Sequence, residues 1–162
     1  IQKVTVYDQR REAAKKYQKE MEEKYKIPVM VCDSVEEAVK GAEIICTVTP
    51  SKEPYLKAEW ITSGAHINAV GAFTPNTREI ESSLMAKAKL YADQVEAMKK
   101  ECGEYLIPKN EGLFGEEHIT GSIGGILAGQ VPGRENDTEI TLFDALGLAV
   151  EDVACGRFLC RE

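Results

Sequence analysis

Short apolar runs alternate with charged, helix-forming stretches along most of the chain. Val4 to Tyr7 is β-branched and aromatic and stops at Asp8. Arg11 to Tyr25 lacks Gly and Pro and is rich in Ala, Lys, Glu and Gln, which predicts a helix. Pro28 to Val31 predicts a second strand. Asp33 or Ser34 can cap a short helix with Glu36 and Glu37 in its first turn, where the helix dipole favours anions, and Gly41 stops it. Glu43 to Val48 is nearly all apolar, as expected of a strand covered on both faces. After Pro50 and Pro54, one helical turn is expected at Ala58 to Ile61 and a strand at His66 to Val70, closed by Gly71. Glu79 to Lys87 suits a helix, Leu90 to Ala92 a short strand, and Gln94 to Glu101 a helix. Gly103 to Gly121 is too punctuated to assign. Ser122 to Ala128 suits a helix, Gly129 to Asp137 a loop, Ile140 to Phe143 a strand, and Leu148 to Leu159 a final helix.

Strand–helix alternation of this kind predicts an α/β fold, with a mostly parallel sheet, flanking helices and right-handed crossovers. In open parallel sheets, ligands bind outside the carboxyl ends of the strands. The residues to inspect are therefore Asp8, Thr47 to Ser51, and Val70 to Pro75.

Composition narrows the function classes. The chain has 162 residues and a net charge of −7, against the basic stripe that a nucleic-acid partner would require. No apolar run approaches the ~18–20 residues of a membrane-spanning helix, and no leader is seen. Five scattered cysteines, with no C-x-x-C pair, read as free thiols of a reducing cytoplasm. Neither these cysteines nor His66 and His118 have metal-ligand spacing. His66 reads as a packed side chain and His118 as a solvated one. The chain opens on Ile1 and runs straight into a strand, which suggests a clipped chain.

Asp8, at a strand end, can accept hydrogen bonds from an adenosine ribose diol and would favour NAD over a 2′-phosphorylated cofactor. It can equally cap the helix that follows, and Arg10 or Arg11 could reach a 2′-phosphate. The hydroxyls of Thr47 and Thr49 can hold a ribose or bond to their own loop. The glycine-rich phosphate turn expected about 20 residues before Asp8 is not in this sequence. The cluster T-G-S-I-G-G (120–125) follows no convincing strand and reads as close helix packing.

Four motifs taken together are more specific. T-V-T-P-S-K-E-P (47–54), W-I-T-S-G-A-H-I-N-A-V-G-A (60–72) and P-x-x-R-E-I (75–80), with G-R-E-N-D-T-E-I-T-L-F-D-A-L-G-L-A-V-E-D-V-A (133–154), resemble the ornithine cyclodeaminase/mu-crystallin family. The resemblance covers essentially the whole chain. It implies a Rossmann domain inserted into a dimerisation and substrate domain, with the parent protein a homodimer. Residues 1–146 would be a Rossmann domain lacking its first strand and glycine-rich turn, and 147–162 the start of a helix returning to the other domain.

Matched to the family pattern, Asp8 is the adenine-ribose acid and Thr47 lies near the cofactor. Val70, Gly71 and Ala72 lie beside the nicotinamide, and Ala145 is a further cofactor contact. Phe73 and Leu146 face the substrate. The resemblance implies NAD or NADP as cofactor, with NAD favoured, and a small imino- or amino-acid substrate. Cyclodeaminases of the family carry an acid/base Asp where this chain has Phe73, and Phe cannot transfer a proton. The expectation is therefore an NAD(P)H-dependent imine reductase, with ornithine cyclodeaminase or a non-catalytic fragment as alternatives.

Overall fold

A computed structural model describes residues 1–160. Among these described residues seven strands are found: β1 (Val4–Val6), β2 (Val29–Val31), β3 (Ile44–Thr47), β4 (His66–Ala69), β5 (Lys89–Ala92), β6 (Ile119–Ser122) and β7 (Thr141–Asp144). The helices are α1 (Arg11–Tyr25), α2 (Val35–Val39), α3 (Ser82–Lys87), α4 (Val95–Glu101), α5 (Gly103–Asn110), α6 (Ile123–Leu127) and α7 (Ala149–Leu159). Single 3-10 turns lie at Ala58–Trp60 and Glu116–His118.

Every ladder is parallel. β1 pairs β2 in a two-stranded sheet joined by α1, and the other five strands run in the order β3-β4-β7-β5-β6. No ladder joins β1 to β3 among the described residues. The α/β fold with a parallel sheet and flanking helices is thus as expected.

Local chemistry explains most boundaries. Ser34 caps α2 by accepting the Glu37 N–H at 3.1 Å, and Gln94 caps α4 through the Ala97 N–H at 2.5 Å. α1 ends on Lys26 in the left-handed region, with its N–H on the Glu22 carbonyl. The helix turns Ala14, Gln18 and Met21 toward β2, where Gln18 donates to the Val29 carbonyl.

The core lies on one face of the larger sheet. Ile45, Ile67, Leu90 and Leu142 point into it from the strands, meeting Leu84 and Met85 of α3, Met98 of α4 and Tyr105 of α5. Leu56 and Ile80, themselves paired in an isolated parallel bridge, complete it.

Four expectations need correction. β3 is not covered on both faces: Ile44 is 61% exposed and Cys46 is exposed, while Ile45 and Thr47 are buried. The opposite face of β3 and β4 therefore carries no helix among the described residues. The unassigned tract 103–121 holds α5, with Pro108 inside it, and most of β6. T-G-S-I-G-G itself forms the end of strand β6 and the start of α6. A Cβ on Gly121 would lie 2.8 Å from the Val131 side chain, so the glycine allows close packing. α3 starts at Ser82, leaving Glu79 in the preceding loop.

Candidate functional site

The carboxyl ends of β3, β4 and β7 lie side by side and bring most of the expected residues together. The Val70 and Gly71 N–H groups both donate to the Thr47 carbonyl, at 3.0 and 3.2 Å, and Ala145 N–H donates to the Ala69 carbonyl at 2.9 Å. Thr47, Val70, Gly71, Ala72, Ala145 and Leu146 thus form one ridge. Val48, Val70 and Phe73 expose apolar side chains along it, whereas Ala72 packs inward. The Thr47 side chain also turns inward and is 4% exposed, with its hydroxyl unpartnered. Thr49 bonds to its own loop, accepting the Ser51 N–H at 3.3 Å.

Asp8 lies elsewhere, at the end of β1 on the smaller sheet. Its Oδ1 accepts the Arg10 N–H at 2.7 Å, a local turn bond of the kind expected of a residue entering a helix, and Arg10 also lies near it as an ion pair. Arg11 pairs with Asp33 at the end of β2.

Beneath the ridge lies a set of buried acids that sequence reasoning missed. Glu79 is fully buried. Its Oε1 accepts the Thr49 N–H at 2.6 Å and the Tyr55 hydroxyl at 2.7 Å, and its Oε2 accepts the Gly71 N–H at 3.1 Å. Glu104 of α5, also fully buried, accepts the backbone N–H groups of Glu79 at 2.5 Å and Ile80 at 3.3 Å. Asp93, just after β5, takes the Leu146 and Gly147 N–H groups on Oδ2, both at 2.8 Å. Asp144 accepts the Cys102 thiol at 3.2 Å, with Oδ1 unpartnered.

Three loops of the ridge are therefore tied by two buried carboxylates, Glu79 and Asp93. Burial pushes the Glu104 carboxyl up to about 8, against the pull of its amide donors. Burial, and then the charges of Asp93 and Glu79, push Asp144 up to about 7. Burial likewise drives the Cys102 thiol well above its ordinary value, as does the nearby Asp144, so it is no nucleophile.

The ridge also explains Gly71. A Cβ there would lie 2.3 Å from the Thr49 carbonyl oxygen and 2.5 Å from Glu79 Oε2. Gly103 answers the same demand where α5 meets the 74–77 loop: its Cβ would sit 2.2 Å from the Thr77 carbonyl oxygen.

The histidines lie off the ridge. His66 Nδ1 is 2.8 Å from the Thr141 hydroxyl, and burial lowers its pKa. His118 is not simply solvated: its ring stacks on Phe114 at 4.2 Å and its Nε2 lies 2.7 Å from the Met85 carbonyl oxygen. No group of three His, Cys, Asp or Glu suited to a metal ion exists among the described residues, and no helix there is long and apolar enough to cross a membrane.

A parallel sheet with an apolar ridge at its carboxyl edge is common to many proteins, so the comparison with known families decides. The family model described as ornithine cyclodeaminase/mu-crystallin matches residues 1–161. The chain belongs to the ornithine cyclodeaminase/mu-crystallin family. It is 38% identical over 159 residues to an alanine dehydrogenase of Archaeoglobus fulgidus, covering 97% of this chain and 48% of that one. It is 39% identical over 160 residues to a Δ1-pyrroline-2-carboxylate reductase of Bacillus cereus, covering 98% of this chain and 49% of that one.

Among solved structures, Thermococcus litoralis Δ1-pyrroline-2-carboxylate reductase in complex with NADH and L-proline superposes with a TM-score of 0.94 and 39% identity. That match covers 97% of this chain and 49% of the reductase. The chain spans about half the length of the relatives it matches.

Proposed function

We propose that this chain is the cofactor-binding part of an NAD(P)H-dependent reductase acting on a cyclic imino acid of the pyrroline-carboxylate class. The observation that carries the proposal is the side-chain inventory of the ridge. Phe73, directly after Gly71 and Ala72, is 64% exposed and cannot move a proton. The nearby acids Glu79, Asp93 and Asp144 are buried and, apart from one oxygen of Asp144, held by backbone, phenol or thiol donors. A lyase step that needs a side-chain acid/base has no candidate there among the described residues. Imine reduction needs less: the iminium nitrogen already carries its proton, and its carbon accepts a hydride.

What supports a dinucleotide fit is the character of the ridge. Its exposed side chains, Val48, Val70 and Phe73, are apolar, as a flat nicotinamide face requires. In this reading Val70, Gly71, Ala72 and Ala145 line the ring. Phe73 and Leu146 form an apolar wall that excludes water from the imine, and Thr47 contributes its place at the strand end. The bound dihydronicotinamide would supply the hydride. The chain's own share is orientation of the two reacting carbons in a dry site.

Asp8 would receive the adenosine ribose on Oδ2, which has no partner among the described residues. With Arg11 committed to Asp33 and a carboxylate at the strand end, NADH is favoured over NADPH. Residues 1–146 form the cofactor domain in this reading, and the segment 147–162 leads out of it. The last two residues, 161 and 162, lie outside those described. A homodimeric parent in the cytoplasm, with the five cysteines of this chain free, completes the proposal.

The test uses the full-length gene product with NADH and either Δ1-pyrroline-2-carboxylate or ornithine. The expected result is NADH oxidation matched mole for mole by proline from the imine, and no ammonia from ornithine. Ammonia and proline from ornithine, without net NADH consumption, would establish the cyclodeaminase reaction instead.

A further inference from the structure

We propose that Glu79 is a positioning residue that locks the β3 and β4 loops into a single rigid floor for the nicotinamide end of the site. The inference rests on the cofactor reading above and adds a role for a side chain that does not touch the ridge surface.

The geometry is that of a two-pronged brace. One oxygen holds the Thr49 N–H at 2.6 Å and the other holds the Gly71 N–H at 3.1 Å, so one carboxylate spans both loops. The Gly71 N–H is shared between this carboxylate and the Thr47 carbonyl at 3.2 Å, and the space around Gly71 is closed by Thr49 and Glu79 themselves. The brace is fixed in turn. Glu104 anchors its backbone N–H, and the Glu79 carbonyl accepts the Tyr55 and Leu56 N–H groups at 2.8 and 2.9 Å. Tyr55 completes the cradle through its hydroxyl. A carboxylate is suited to this task because every group it meets is a donor, and it is an acceptor at both oxygens.

A glutamine at this position would turn an NH2 donor toward one of two donor N–H groups, so one of the two loops loses its tie to residue 79. The loop released carries either Thr49, beside the exposed Val48, or Gly71 itself. The adenosine end of the site, on the smaller sheet, makes no contact with this brace. The proposal therefore separates two halves of the same ligand: losing the brace disturbs the nicotinamide and leaves the adenosine side untouched.

The experiment compares the full-length wild type with Glu79→Gln. The probes are NADH and ADP-ribose, the latter keeping the adenosine side and lacking the nicotinamide. Circular dichroism establishes that the variant is folded. The expected result is NADH affinity lower by roughly tenfold to a hundredfold, the range for a lost charge-assisted hydrogen bond, with ADP-ribose affinity unchanged within about twofold. The fluorescence of bound NADH should shift toward its value in water, and kcat for imine reduction should fall more than KM rises.

Equal weakening of both probes, or no change in either, overturns the proposal. Absence of binding of both probes to the wild type overturns the cofactor reading itself, and this inference with it. Should Glu79→Gln fail to fold, amide hydrogen exchange on the wild type decides. NADH is expected to slow the Thr49 and Gly71 amides together, and slowing of one without the other contradicts a shared brace.

Discussion

The two sheets of this molecule are built to different standards. The β1-α1-β2 unit has three-residue strands and few buried side chains, chiefly Ala14, Val29 and Cys32. Apart from chain connectivity, it is tied to α2 by one Thr5-to-Ala38 hydrogen bond at 2.7 Å. The five-stranded sheet carries the main core and the four buried acids. The difference falls across the proposed site. The nicotinamide end rests on backbone fixed by carboxylates in a medium where each hydrogen bond is strong. The adenosine end rests on a half-exposed Asp8 in a lightly packed unit. One end is suited to holding reacting atoms in register, and the other to gripping a flexible tether.

The largest effect should come from the core of the larger sheet. Leu142→Ala is expected to lower stability by about 2–5 kcal/mol, because Leu142 is fully buried in a strand with partners on both sides. Val29→Ala, its counterpart in the small unit, should cost roughly 2 kcal/mol, near the transfer value of its lost methyl groups. Chemical denaturation of the two variants measures the contrast, and equal losses would erase it. Gly71→Ala comes next, at about 3 kcal/mol, since the new methyl would press on the Thr49 backbone rather than on a flexible side chain. It should also weaken NADH binding, whereas Gly41→Ala, where nothing lies within 4 Å, should leave that binding alone.

The buried acids make stability depend on pH. Asp144, at about 7, keeps its proton to higher pH when folded than when unfolded. The folded state therefore binds more protons between these two values, and stability falls as pH rises through that window. Asp144→Asn removes this slope. Its stability relative to wild type should increase by on the order of 2 kcal/mol between about pH 5 and pH 8, measured by denaturation at each pH. A wild type and variant with parallel pH profiles would mean that Asp144 titrates normally. The smallest effect is Ser34→Ala, which loses the α2 cap and should cost about 1 kcal/mol of stability.

The sequence pattern was legible where structure is local. α1 runs from Arg11 to Tyr25 as its composition predicts, and Ser34 caps α2 as its chemistry predicts. The strand ends that form the ridge were also found, because apolar runs closed by Gly or Pro mark them. Long-range structure was hidden. Pro108 and several nearby glycines masked α5 and β6, whose stability comes from packing against α3 and pairing with β5.

Nothing in R-E-I or G-E-Y announces that Glu79 or Glu104 will be buried. Their donors are backbone N–H groups, and only the folded chain says which amides need an acceptor. The one available sign was Glu79's place in the motif P-x-x-R-E-I (75–80), which closely follows the motif (60–72) that holds Gly71. The apolar run at β3 misled in the opposite sense, because composition does not say whether a second layer covers an apolar face.

The central claim is that this ridge presents a hydride donor to an imine carbon without help from a side-chain acid. The direct measurement uses the full-length gene product, Δ1-pyrroline-2-carboxylate, and NADH carrying deuterium at its transferable position, with the proline formed examined by mass spectrometry and NMR. The account predicts one deuterium at the proline Cα, placed there with a single stereochemistry. Proline without the label, or label that stays on the cofactor, would contradict it.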